Sequence, residues 1–151
     1  SMVSGAYQSY KLENSASAST SFPDLTPYMN YVSLSTTLSI DGRQNEGIQP
    51  CGAGACLVLH SGAAVFYATS GAQVNFGSTA TTSAFAYDVD PDGKVTTTGA
   101  AGTPGKSVSM WLYYNGRTTN RGNIPANSYV GTVGPVSPDS ALDPPWFSWS
   151  N

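Results

Sequence analysis

Val3-Ser4-Gly5-Ala6-Tyr7-Gln8-Ser9-Tyr10-Lys11-Leu12-Glu13-Asn14-Ser15-Ala16-Ser17-Ala18 is the one stretch of this chain with the spacing of a helix of several turns. Val3, Ala6, Tyr7 and Tyr10 recur at helical intervals, with Ala16 continuing the stripe more weakly. From about Leu34 the apolar period drops to two, and the rest reads as strands and turns. A single N-terminal helix ahead of a β-rich body predicts an α+β fold, the helix packed on an antiparallel sheet of roughly four to six strands. The helix starts abruptly behind Ser1-Met2, a pair that reads as a cloning remnant, so we expect the natural helix to extend upstream. Residues 3–33 then form the helix stub and a short second helix, and 34–151 the β-rich body with an irregular C-terminal tail. Together they make one domain, as 151 residues allow.

Leu, Ile, Val and Phe total only 27 residues, but nine Tyr and three Trp supply the apolar area that this count misses. With a net charge of only −3, the composition is that of a folded chain with a thin, aromatic core. Charged residues are 10% of the chain, whereas Ser and Thr number 36, a hydroxyl-rich surface that suits an extracellular or cell-surface protein. Six scattered Lys and Arg form no basic stripe, which argues against nucleic-acid binding. No run in these residues reaches the ~20 apolar residues of a transmembrane helix and none reads as a signal peptide, so any export signal or anchor is expected to have been removed.

Cys51 and Cys56 enclose Gly-Ala-Gly-Ala, flexible enough to bring two Cα atoms into disulfide range. A disulfide is the expected state, free buried thiols the alternative. Two thiolates and a distant His60 fall short of a zinc site.

Ser and Thr should end the first helix near Ser17–Thr20. Asp24 reads as the N-cap of a short helix with Pro27 in its first turn and Leu25, Tyr28, Met29 and Val32 on one face. Leu34, Thr36, Leu38 and Ile40 predict a strand ending at Asp41-Gly42, and 43–54 a loop. Ala55–His60 and Ala63–Thr69 read as a hairpin through Ser61-Gly62, with Val74–Phe76 a short strand beyond it. Ser83–Val89 should be a firm strand, with Lys94–Thr98 returning after Asp-Pro-Asp-Gly. After a small-residue loop at 99–106, Ser107–Tyr114 and Arg117–Asn120 flank Asn115-Gly116, the strongest hairpin signal of the chain. The tail from Ile124 is rich in proline and should be irregular.

Taken in order, Ala6-Tyr7-Gln8-Ser9-Tyr10 and Phe22-Pro23-Asp24-Leu25-Thr26-Pro27-Tyr28 resemble the end of the long N-terminal helix and the following loop of type IV pilin-like proteins, the pseudopilins included. Tyr87-Asp88-Val89-Asp90-Pro91-Asp92-Gly93 and Met110–Arg117 are similar to the Asp-Gly turn and final hairpin of their sheets. The resemblance covers about a third of the chain and lacks the family's most diagnostic part, a processed leader with a long apolar helix. It implies a structural subunit or minor, tip-associated component of a pilus-like or pseudopilus filament. Its partners would be other pilin subunits and, through the missing helix, the inner membrane. Such a protein is membrane-anchored before assembly and displayed on the surface afterwards. The alternative is a secreted β-rich adhesin or glycan-binding module.

Asp88, Asp90 and Asp92, followed by Gly93, have the carboxylate spacing that opens an EF-hand loop. The ninth and twelfth positions fall on Thr96 and Gly99, without the closing Glu, so a full EF-hand is excluded. A weaker calcium site and a plain hairpin turn are the two remaining readings. The plain turn is the preferred reading; the resemblance lends the calcium reading some support, since major pseudopilins bind calcium in a β-region loop. No enzyme is expected. His60 is the only histidine, and the nucleophile, zinc and phosphate-loop motifs are missing. Glu13 and Glu46 form no acid–base pair across a cleft. Trp111, Tyr113, Tyr114, Trp146, Phe147 and Trp149 could build a sugar-stacking platform, although Trp111 reads better as core. Tyr7, Tyr10, Trp146, Phe147 and Trp149 are the candidate subunit-contact residues.

Overall fold

The computed structural model describes residues 2–42, 47–71, 73–95 and 107–120. Its first element is α1 (Met2–Glu13). Next come α2 (Phe22–Leu25) and a 3-10 turn at Thr26–Tyr28. The strands are β1 (Ser33–Ser35), β2 (Ser39–Asp41), β3 (Ile48–Pro50), β4 (Gly54–Val58), β5 (Ala64–Ala68), β6 (Ala84–Asp90), β7 (Val108–Tyr113) and β8 (Thr118–Asn120). Six strands form an antiparallel sheet in the order β1-β4-β5-β6-β7-β8, while β2 and β3 pair separately as a two-stranded flap. The fold is α+β, at the upper end of the anticipated strand count.

Alternation along the strands sorts side chains onto two faces. One face carries Leu57, Val65, Tyr67, Phe85, Tyr87 and Leu112, and α1 covers it with Val3, Ala6 and Tyr7. Phe22, Leu25 and Met29 complete this core. Its centre is aromatic. Phe22 stacks on Tyr67 with ring centroids 4.6 Å apart, and Phe76 lies 4.8 Å from Phe85 and 5.5 Å from Tyr7. The tyrosines and phenylalanines therefore supply what the low Leu and Ile content withholds. On the opposite face Cys56, Ala64 and Phe66 pack against Ile40 and Cys51 of the flap.

Hydroxyl competition stops α1 at Glu13, earlier than the sequence suggested. Beyond it the Ser17 N–H donates to Thr20 Oγ1 (2.9 Å) and the Ser19 N–H to Ser17 Oγ (3.3 Å). The second helix begins before Asp24, with Ser21 at its N-cap. Asp24 instead occupies the third helical position and accepts the Ser21 N–H at 2.9 Å, one half of a capping box. Leu25 and Met29 of its expected apolar face are buried, but Val32 is exposed.

The expected strand over 34–40 is broken in two. Ser35 Oγ accepts the N–H groups of Thr37 (3.2 Å) and Leu38 (3.1 Å), turning the chain from β1 into β2. Leu34 and Leu38 are consequently exposed, and only Ile40 is buried. Part of the expected 43–54 loop is ordered as β3, a 3-10 turn at Cys51–Ala53 and the start of β4. Near Val74–Phe76 a single bridge between Asn75 and Ser21 replaces a strand. Lys94 and Val95 are not in a strand, and 96–98 lie outside the described residues. The Asn115-Gly116 hairpin forms as read: the Tyr113 N–H donates to Arg117 O and the Gly116 N–H to Tyr113 O, each at 2.8 Å.

Candidate functional site

Two places gather polar groups from distant parts of the chain. The first lies under the flap. Cys51 and Cys56 form a disulfide with Cα atoms 5.4 Å apart, tying the end of β3 to β4. At the other end of the flap, the Asp41 N–H donates to Asp90 Oδ2 at 3.0 Å. Ser107 Oγ donates to Asp41 O, and the Ser107 N–H donates to Gly42 O at 3.0 Å. The β6 turn folds on itself: the Asp92 N–H donates to Asp90 Oδ1 (3.3 Å) and the Lys94 N–H to Asp92 Oδ1 (3.1 Å). Gly93 adopts φ +69°, and a Cβ there would lie 2.1 Å from Gly62 O. Only glycine fits where this turn abuts the β4–β5 hairpin.

Asp41, Asp90 and Asp92 thus converge, with carboxylate oxygens within 4.8 Å of one another. Asp41 and Asp90 are buried, Asp92 exposed. Burial pushes the Asp90 carboxyl up to about 6; the Asp41 N–H opposes the shift, and the neighbouring Asp92 adds to it. Of the three aspartates singled out in the sequence, Asp90 and Asp92 belong to this group and Asp88 does not. Asp88 lies along β6, paired with Phe66 on one side and Ser109 on the other. Asp41, read only as half of an Asp-Gly turn, takes its place because the flap folds back over β6. The donor set, two carboxylates from the β6 turn and one from the flap, is the hard-oxygen type that calcium takes, and Asp41, Asp90 and Asp92 are the residues that would hold such an ion.

The second gathering joins α1 to the β7–β8 hairpin. Ser4 Oγ donates to Gly116 O (2.8 Å), Tyr7 OH to Tyr114 O (2.7 Å), and Tyr114 OH to Ala16 O (3.2 Å). Further along the helix, Tyr28 OH donates to Glu13 Oε2 at 2.5 Å, and Tyr10 meets the Tyr28 ring edge-on.

These contacts correct the interface expectation for Tyr7. Its side chain is fully buried, committed to the core and to Tyr114, and has no face left for another subunit. Tyr10 is half-buried and keeps some surface. Trp146, Phe147 and Trp149 lie outside the described residues. Trp111 and Tyr113 are buried and contribute nothing to a sugar-stacking surface, while Tyr114 is partly buried. His60 sits at the exposed turn after β4, its Nε2 3.1 Å from Asn30 Oδ1. Among the described residues no helix is long and apolar enough to cross a membrane. Comparison with protein-family models, curated proteins and solved structures returned no match.

Proposed function

We propose that this chain is the globular part of a structural subunit, major or minor, of a type IV pilus-like or pseudopilus filament. The observation that carries the reading is the docking of α1 on one face of a six-stranded antiparallel sheet, its first turns held by the last described hairpin. This is the placement a helix needs if it is to serve as the stem of a globular head. The Phe22–Tyr28 segment supports the same reading, because it seals the helix against the sheet in the order that the sequence resemblance implies.

In this proposal a more apolar upstream continuation of α1 holds the subunit in the inner membrane before assembly and packs against neighbouring subunits afterwards. The sheet faces outward and sets the character of the filament surface. The half-buried Tyr10–Tyr28 pair and the exposed Leu12 lie along α1 or its loop, where neighbouring stems would meet. Burial of Trp111 and Tyr113 leaves the glycan-binding alternative without its described aromatic platform.

The test is direct. The codons upstream of Val3 should encode a short basic leader, a small-residue cleavage point and a continuous apolar run. The full-length protein, coexpressed with a prepilin peptidase, should be trimmed at that point. A conventional signal peptide, or another β-domain in that position, overturns the reading.

A further inference from the structure

We infer that Asn115 is a deamidation site whose chemistry is coupled to the docking of α1. Asn115 is exposed and is followed by glycine, so residue 116 brings no side chain of its own to crowd the attacking peptide nitrogen. Its Oδ1 accepts the Arg117 N–H at 3.0 Å, folding the carboxamide back over the Gly116–Arg117 peptide. Gly116 takes φ +94°, a conformation that favours glycine and so keeps the susceptible pair in the turn.

The reaction needs only water. The Gly116 nitrogen loses its proton to solvent and attacks Asn115 Cγ, expelling the side-chain amide as ammonia and closing a succinimide ring. Water then opens the ring at either carbonyl, giving aspartate or isoaspartate. In the closed hairpin that nitrogen is engaged, its N–H donating to Tyr113 O at 2.8 Å. Attack therefore proceeds from molecules in which the turn has opened, and whatever holds the turn shut slows it.

The helix is what holds it. Ser4 Oγ donates to Gly116 O at 2.8 Å, and Gln8 Nε2 would lie 2.8 Å from a Cβ placed on Gly116. The first turns of α1 thus rest on the very residue that supplies the nucleophile. The linkage runs both ways. Isoaspartate inserts an extra carbon into the main chain at position 115, displaces Gly116 O from Ser4 and loosens the end of the helix. The inference is independent of the filament proposal, although in any long-lived extracellular protein such a change accumulates without repair.

The experiment ages the full chain at mildly alkaline pH and follows Asn115 by peptide mass mapping with enzymatic isoaspartate detection. Wild type, Ser4→Ala, Gln8→Ala and Asn115→Gln are compared, with urea-unfolded protein as the upper reference. Folded wild type should convert roughly tenfold or more slowly than the unfolded chain. Ser4→Ala and Gln8→Ala should each convert several-fold faster than wild type, and converted protein should lose hydrogen-exchange protection in α1. Asn115→Gln should neither convert nor lose protection. Equal rates in folded and unfolded protein, wild-type rates in both helix variants, or full α1 protection after conversion would each overturn the inference.

Discussion

The two faces of the central sheet are held by different physics. Under α1 the contacts are rings and aliphatic side chains, and the ionisable groups of that core, Tyr7, Tyr67 and Tyr87, are held above the ordinary tyrosine pKa of 10 by burial. Under the flap the apolar cluster has five buried members, two of them the disulfide, and its edge is a group of carboxylates. The first face is stabilised by dry packing, which responds weakly to pH and redox conditions. The second depends on a covalent bond and on protons, and so answers to its surroundings. A protein built this way keeps its helix docked while the flap is adjusted.

The contrast is broken most severely at Phe22, which touches Tyr67, Phe85 and Tyr87 at once. Phe22→Ala should cost about 3–5 kcal/mol in urea unfolding, at all pH values and in either redox state. Reduction, or the Cys51→Ser and Cys56→Ser pair, should cost about 2 kcal/mol through the small loop it closes. Hydrogen exchange should place that loss in β2 and β3 and leave α1 protected. Equal loosening of α1 would show that the faces are not independent.

Asp90 sharpens the comparison by pH. Folded Asp90 holds its proton up to about pH 6, whereas in the unfolded chain it releases it near the ordinary 3.8. The folded state binds more protons within that window, so this contribution to stability is complete below about pH 4 and is lost as pH rises through 6. Asp90→Asn should flatten the pH dependence of Tm and stabilise the protein at neutral pH by on the order of 1–2 kcal/mol. Calcium titration of the same two proteins reads whether a cation relieves the group as a proton does: a rise in Tm confined to wild type marks a cation site. The smallest effect should be Tyr7→Phe, which keeps the ring and removes the bond to Tyr114 O, costing about 1 kcal/mol and unchanged with pH well below the ordinary tyrosine pKa of 10.

The helix-side face was legible in the sequence because its signals are local. The Val3–Tyr10 spacing, the alternation through Phe85 and Tyr87, and Asn115-Gly116 each specify an element within a few residues, and those elements formed. The flap was not legible. Its existence turns on Ser35, one hydroxyl that takes two backbone N–H groups in what read as an unbroken strand. Its chemistry turns on Asp41, which meets Asp90 across 49 positions of sequence. A carboxylate beside glycine reads as a turn, and nothing local says which distant strand the turn will land on. For the same reason Tyr7 reads in the sequence as a subunit-contact residue, although it is fully buried in the core.

The tether between α1 and the last described hairpin has a mechanical consequence. Ser4 and Tyr7 bind the carbonyls of Gly116 and Tyr114, and Tyr114 reaches back to Ala16, so one short hairpin grips the helix near both ends. A pull on the N-terminus would load these bonds together rather than peel them one at a time. The force would enter the sheet through β7, flanked by β6 and β8, and spread over two ladders. The helix is seated to carry tension, and the sheet to share it.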